Sequence, residues 1–197
     1  MRMLILALPL MLAAAETEPA RRGALLLEDD FSAASIHPAW RQAKGQWQIV
    51  NGALKGVEIA SDKHAAVVRR PVAYHDAVIE FSFRLDGARL MHLSLNSSKG
   101  HACRVTVDPK GFTLRKDKTN AKSTDKAELL ARREMKFEPG KWYTMTVEVR
   151  GQRMSARVNG QSAEGAHEGI DVDKADIGFP VAGDSASIDN VKVWAIR

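Results

Sequence analysis

The sequence predicts an all-β chain folded as a two-sheet antiparallel β-sandwich, and three observations carry that expectation. Apolar residues recur with a period of two along most of the chain, as in Ile79, Phe81, Phe83 and Leu85 set against Val78, Glu80, Ser82 and Arg84. The alternating runs are short and are separated by Gly, Pro and Asn turn signals. No strand–helix–strand alternation of the kind that builds a parallel sheet interrupts them.

The first segment, MRMLILALPLMLAAAETEP, places Arg2 ahead of an apolar run from Met3 to Leu12 that ends in the small residues Ala13, Ala14 and Ala15. Residues 1–15 are therefore expected to be a secretory signal peptide, cut after Ala15, and the run is short for a membrane span. Residues 16–24 read as a flexible lead-in, and residues 25–197 as a single domain. Roughly 180 residues bury a core without staples.

Met91, Leu93 and Leu95 alternate with His92, Ser94 and Asn96, repeating the pattern of Ile79–Leu85. If the two runs form a hairpin about Ala88, Phe83 pairs with Leu93 and Phe81 with Leu95, which sets Arg84 beside His92 and Glu80 beside Asn96. A slip of one residue would place phenylalanines against His92 and Ser94, which burial of one face forbids. The same face extends through Asn96-Ser97-Ser98-Lys99-Gly100 into HACRVTV, with Cys103, Val105 and Val107 inside and Ala102, Arg104 and Thr106 outside. Asp108-Pro109-Lys110-Gly111 is a type I turn signal leading into the strand FTLRK.

Residues 123–136, STDKAELLARREMK, have helix-forming composition, but the all-strand context favours a strand. Further on, WYTMTVEVR and RMSARVNG flank Gly151-Gln152. Glycine first in a two-residue loop suits a type II′ turn and pairs Arg150 with Arg153, Val147 with Ala156 and Met145 with Val158. The closing run SIDNVKVWAIR is apolar on both faces toward its end, which predicts a well-covered strand.

The chain carries +5, and losing Arg2 with the leader leaves +4. The charges are interleaved, as in Arg115-Lys116-Asp117-Lys118, so no one-signed stripe with stacking aromatics marks a nucleic-acid reader. Cys103 is the sole cysteine, which excludes an intramolecular disulfide, and its place on an apolar strand face predicts a buried, inert thiol.

Five segments, DDFSAASIHPAW, GQWQIVNGALKG, AVIEFSFRL, EPGKWYTMTVEVRGQRMSARVNGQ and ADIGFPVAGDSASIDNVKVW, occur in an order that resembles the 3-keto-disaccharide hydrolase-like domains. These are laminin-G-like and concanavalin-like domains common in exported bacterial proteins. The resemblance covers roughly residues 27–196 and implies a concanavalin A-like jelly roll with one curved sheet and carbohydrate as its ligand class. Family members carry Asn-Ser-Gly-Ile and then a Gly-Tyr-Glu strand where this chain reads LSLNSSKGHACRV. Asn96 and Ser97 keep part of the first, Ser98 replaces its glycine, and Gly100-His101-Ala102 replaces the second without a glutamate.

Glycoside hydrolysis usually employs two carboxylates about 5 to 9.5 Å apart. The expected polar face offers one, Glu80, with Asp86 at the hairpin end, and the Glu-x-Asp-x-x-Glu strand of family 16 glycoside hydrolases is absent. The catalytic candidates are Glu80 and His92, a side chain that works as acid or base near neutral pH. Arg84, Asn96 and Arg104 are candidates to bind the substrate's hydroxyl or anionic groups, and Trp40 to stack on a sugar ring. The alternative is a solvated face whose charges neutralise one another.

Asp29, Asp30 and Asp189, the last beside Asn190, are candidates for a structural calcium, since terminal strands of such sandwiches pair. No other cofactor is required, and His37, His64, His75, His101 and His167 lack metal-ligand spacing. The resulting expectation is an exported domain that binds or processes carbohydrate. The competing class is a non-catalytic interaction or structural module of the cell envelope.

Overall fold

The computed structural model describes residues 20–197, so the expected signal peptide and the first residues of the lead-in lie outside the described residues. Fifteen strands follow one another: β1 (Arg22–Asp29), β2 (Arg41–Lys44), β3 (Gln46–Val50), β4 (Ala53–Val57), β5 (Ala66–Tyr74), β6 (Ala77–Leu85), β7 (Ala88–Ser97) and β8 (Gly100–Asp108). They continue as β9 (Gly111–Lys116), β10 (Glu128–Glu134), β11 (Tyr143–Arg150), β12 (Arg153–Val158), β13 (Gln161–Ala166), β14 (Lys174–Gly183) and β15 (Ser185–Ile196). Single 3-10 turns at Ala60–Asp62 and Glu168–Ile170 are the helical segments among the described residues, and no helix there is long and apolar enough to cross a membrane.

Two antiparallel sheets stack as a sandwich. One has eight strands in the order β13-β12-β11-β6-β15-β4-β3, with β1 also paired to β15, and the other seven in the order β10-β9-β8-β7-β14-β5-β2. The period-two pattern accounts for this, because each strand turns one face inward. Ile79, Phe81, Phe83, Val147, Ile188 and Val193 from the first sheet meet Leu93, Leu95, Val105, Ile177 and Phe179 from the second, all fully buried. Phe81 and Phe179 touch across the layers with ring centroids 5.4 Å apart. Each such side chain contributes roughly 1.5–3 kcal/mol of burial, so register is strongly specified.

The expected β6–β7 hairpin does not form. β6 lies between β11 and β15, whereas β7 lies between β8 and β14 in the opposite sheet. Facing across a sandwich satisfies the apolar alternation as well as pairing side by side does, and periodicity does not distinguish them. The crossing is built by Asp86 and Gly87. Gly87 has φ +89, and a Cβ there would lie 2.6 Å from the Asp184 carboxylate. The Asp86 amide donates to the Ser185 carbonyl at 2.9 Å, and the Asp86 carboxylate accepts from the Ser187 hydroxyl at 2.7 Å.

The other registers agree with expectation, except that a bulge after Leu95 sets Asn96 opposite His101 and buries Ala102, expected on the outer face. β7 pairs with β8, setting Leu93 opposite Val105 and Leu95 opposite Cys103, and β8 turns into β9 at Asp108–Gly111. β11 and β12 pair Met145 with Val158, Val147 with Ala156 and Arg150 with Arg153. Gly151 there has φ +54 and Gln152 stays at negative φ, the type II′ signature. Residues 128–134 form β10, paired with β9. β1 begins at Arg22, inside the expected lead-in, because its first residues pair with the end of β15 rather than with anything their composition signals.

Candidate functional site

The predicted polar residues fall on the two opposite outer faces of the sandwich. Glu80 and Arg84 are on the outer face of the eight-stranded sheet, whereas His92, Ser94, Asn96 and Arg104 are on the outer face of the seven-stranded sheet. Glu80 accepts from the Arg22 guanidinium. Arg84 donates to both carboxylate oxygens of Asp86 at 2.7 and 3.1 Å and lies over the Trp142 ring. The expected juxtapositions of Glu80 with Asn96 and of Arg84 with His92 are therefore overturned, and Glu80 and His92 do not share a site.

The seven-stranded sheet carries a depression of ≈ 300 Å³ on its outer face, lined by residues of β5, β7, β8 and β14. Its floor is Gly178, which lies opposite Arg69 on one side and Ser94 on the other. A Cβ at Gly178 would stand 3.3 Å from the Arg69 side chain and 3.8 Å from the Asn96 amide nitrogen. The missing side chain is what leaves the groove open. His64, His92, His101 and Arg104 complete the walls.

Within the groove a chain of hydrogen bonds fixes the polar groups. The Nδ2 amide of Asn96 donates to Asp176 Oδ1 at 2.6 Å, and Asn96 Oδ1 lies 2.7 Å from His101 Nδ1. A carboxylate accepts, so Asn96 turns its NH2 to Asp176 and its carbonyl to the imidazole, and His101 must then donate from Nδ1. Burial pushes the His101 pKa down, aided by the Arg104 and Arg69 guanidinium groups and opposed by Asp117. The neutral ring consequently presents Nε2 as a lone-pair acceptor, and that nitrogen has no protein partner among the described residues.

His92 lies one row away, its Nδ1 2.8 Å from Thr106 Oγ1. Burial, with Arg104 and Arg115 adding repulsion, pushes its pKa down to about 3, so it too is neutral near pH 7. Arg104 donates from Nε to Asp117, which is 3% exposed, with both oxygens at 2.7 Å. The guanidinium is thus held in place while its other donors face the groove. What the arrangement supplies chemically is two neutral imidazoles, an oriented amide and one fixed cation, Arg104, with Arg69 beside it, around an open floor.

Trp40 offers no stacking face. It is 3% exposed, packs between Phe31 and Phe179, and donates its indole N–H to Asp29 Oδ2 at 2.8 Å. Asp29 Oδ1 accepts from the Phe31 amide, and Asp30 caps Ser32. Asp189, raised in pKa by burial with Asp30 and Asp29 nearby, approaches them as expected for paired terminal strands. Yet among the described residues no group of three or more His, Cys, Asp or Glu is placed to hold a metal ion. The orientation of Asp29 is explained by Trp40 and a tight turn.

Sequence reasoning missed Arg69, His101, Asp176 and Gly178. Only His101 carried a signal, since Gly100-His101-Ala102 replaces a strand motif of the resembled domains. Cys103, by contrast, is fully buried with its thiol pKa pushed up to about 12 by burial, as an inert thiol requires.

The model of the 3-keto-alpha-glucoside-1,2-lyase-like domain matches residues 29–194. Among solved structures, the chain is similar to the carbohydrate-binding module CBM66 from Bacillus subtilis, with 14% identity over 80% of this chain and 96% of that one and a TM-score of 0.66. It is also similar to a Bacillus subtilis protein of unknown function with a galectin-like fold, with 14% identity, 91% and 100% coverage and a TM-score of 0.71. A third likeness is to SCLam, a non-specific endo-beta-1,3(4)-glucanase of family GH16, with 14% identity, 91% and 95% coverage and a TM-score of 0.64. At such identities the likeness shows the fold alone. No curated protein sequence matches the chain.

Proposed function

The chain belongs to the 3-keto-alpha-glucoside-1,2-lyase-like domain family, and from that premise we propose that the groove over Gly178 on the seven-stranded sheet binds carbohydrate. The observation that carries this reading is the groove itself. Four adjacent strands present Arg69, Ser94, Asn96, His101 and Arg104 around a floor that lacks a side chain. Hydroxyl-rich ligands need fixed donors and acceptors in a concave site, and Asn96, His101 and Arg104 are held by protein partners before any ligand arrives. The carbohydrate-binding module and the endo-glucanase among the structural neighbours agree with that ligand class.

One observation favours a catalytic reading of the same groove. His101 is neutral, oriented by Asn96 and Asp176, and offers Nε2 as a base. In a 1,2-elimination from a 3-keto glycoside, the base takes the proton from C2, which the adjacent ketone acidifies. The C2–H electron pair becomes the C1–C2 double bond, the C1–O bond breaks, and the leaving alkoxide receives a proton. An oriented imidazole suits the first step, and the cationic groove favours the developing enolate. Export is part of the proposal and rests on the leader at residues 1–15.

The test is a screen of 3-keto-glycosides and plain oligosaccharides for binding and turnover, with His101→Gln and Glu80→Gln as variants. Binding kept in Glu80→Gln, with turnover lost only in His101→Gln, is the expected result. Absence of binding to every saccharide would overturn the groove reading. Turnover that survives His101→Gln unchanged would remove His101 as the base.

A further inference from the structure

We propose that the saccharide taken by this groove carries an anionic group, read by a row of arginines that crosses the seven-stranded sheet. This rests on the groove being the carbohydrate site. The row follows from register. Arg41 lies opposite Arg69, Arg69 opposite Gly178, Gly178 opposite Ser94, Ser94 opposite Arg104, and Arg104 opposite Arg115. Directly opposed residues of antiparallel strands project from the same face, so six strands contribute one line of side chains. At the usual strand spacing it extends about 24 Å across the sheet.

Four of the six positions are arginine, and the other two are the small residues of the groove floor. Like charges directly opposite one another destabilise a sheet. This sheet keeps two such pairs, Arg41 with Arg69 and Arg104 with Arg115. Asp117 compensates Arg104, but among the described residues no carboxylate forms an ion pair with Arg41, Arg69 or Arg115. The remaining acid at the margin, Asp176, is turned to the Asn96 amide. The neighbouring imidazoles feel the positive field, since Arg104 and Arg115 disfavour protonation of His92, and Arg104 and Arg69 that of His101.

Guanidinium groups flanking a gap offer planar, paired donors, the geometry that matches a carboxylate or a sulfate ester. Polysaccharides that repeat such a group would meet Arg69 and Arg104 across the floor and Arg41 and Arg115 at its ends. No tryptophan, tyrosine or phenylalanine stands in this row to stack a nucleobase, so an acidic sugar fits better than a single-stranded nucleic acid.

Calorimetric titration of the full chain with tetragalacturonate, its methyl ester, a kappa-carrageenan tetrasaccharide, which carries sulfate esters and no carboxylate, and maltotetraose tests the proposal. The expected result is that one of the two acids binds at least about tenfold more tightly than the ester and maltotetraose, the size of one charge-assisted contact. Which acid binds better identifies carboxylate or sulfate as the group read. Arg115→Gln, at the end of the row, should weaken acid binding and leave the ester unchanged, and Arg69→Gln should weaken the acids more than the ester. Arg157→Gln removes an equal charge from β12 on the opposite sheet and should weaken neither. An ester bound as tightly as the acids would overturn the anionic reading while leaving the groove as a saccharide site, and binding of none of the four would overturn both. Equal loss in Arg157→Gln and Arg69→Gln would reduce the effect to net charge and overturn the row, as would an oligothymidylate bound as tightly as the preferred acid.

Discussion

His101 Nδ1 lies 2.7 Å from Asn96 Oδ1, and this contact decides which ring nitrogen faces the groove. Nitrogen-15 spectra near pH 7 should show His101 protonated at Nδ1 and bare at Nε2. In Asn96→Ala the preference should be lost, because nothing then holds the proton on Nδ1. A wild-type ring protonated at Nε2 would contradict the orientation derived from Asp176 and Asn96.

The buried His92 makes stability depend on acid. Its folded pKa is about 3 against 6.5 for the free side chain, so between those values the unfolded chain takes up a proton that the folded chain refuses. Its contribution is therefore complete above pH 6.5 and falls as pH drops toward about 3, by up to about 1.4 kcal/mol per pH unit. Denaturation of wild type and His92→Gln across this range should give curves that diverge in slope by that sign. Parallel curves would mean that His92 titrates normally.

Gly178 tests whether the groove is a site or merely a surface. Its would-be Cβ meets the Arg69 side chain and the Val68 carbonyl at 3.3 Å, tight but not blocked. Gly178→Leu should fold and melt cooperatively, yet lower saccharide affinity at least about tenfold, or about 1.4 kcal/mol. Unchanged affinity in a folded variant would place the ligand elsewhere.

The Cys103 thiol should resist thiol reagents in the native protein and react at the rate of global unfolding, since it is fully buried and deprotonates only near pH 12. Cys103→Ser should cost about 1–3 kcal/mol in chemical denaturation, because a hydroxyl replaces a thiol in an apolar layer. Rapid native labelling would show that β8 opens locally.

The sandwich, the β11–β12 register and the run from β7 to β9 were legible because alternation and turn residues act between neighbours in sequence. What alternation leaves open is which sheet a strand joins. Phe81 satisfies its burial by facing Phe179 across the core and Phe83 by packing on Phe137 and Tyr143, so the alternation that would set Glu80 and His92 on one face is met with the two on opposite sheets. Half of the groove comes from β5 and β14, distant in sequence from β7 and β8, which hides Asp176 and Gly178 from any local reading. The arginine row was invisible for the same reason. Interleaved charges along each strand become a one-signed line only when the strands lie side by side.

The most direct test of the groove is amide chemical-shift mapping of labelled protein titrated in turn with tetragalacturonate and maltotetraose. Perturbations centred on Arg69, Ser94, His101, Arg104 and Gly178 are predicted for the bound saccharide. Perturbations confined to the outer face of the eight-stranded sheet, around Glu80, Thr146 and Arg157, would contradict the account.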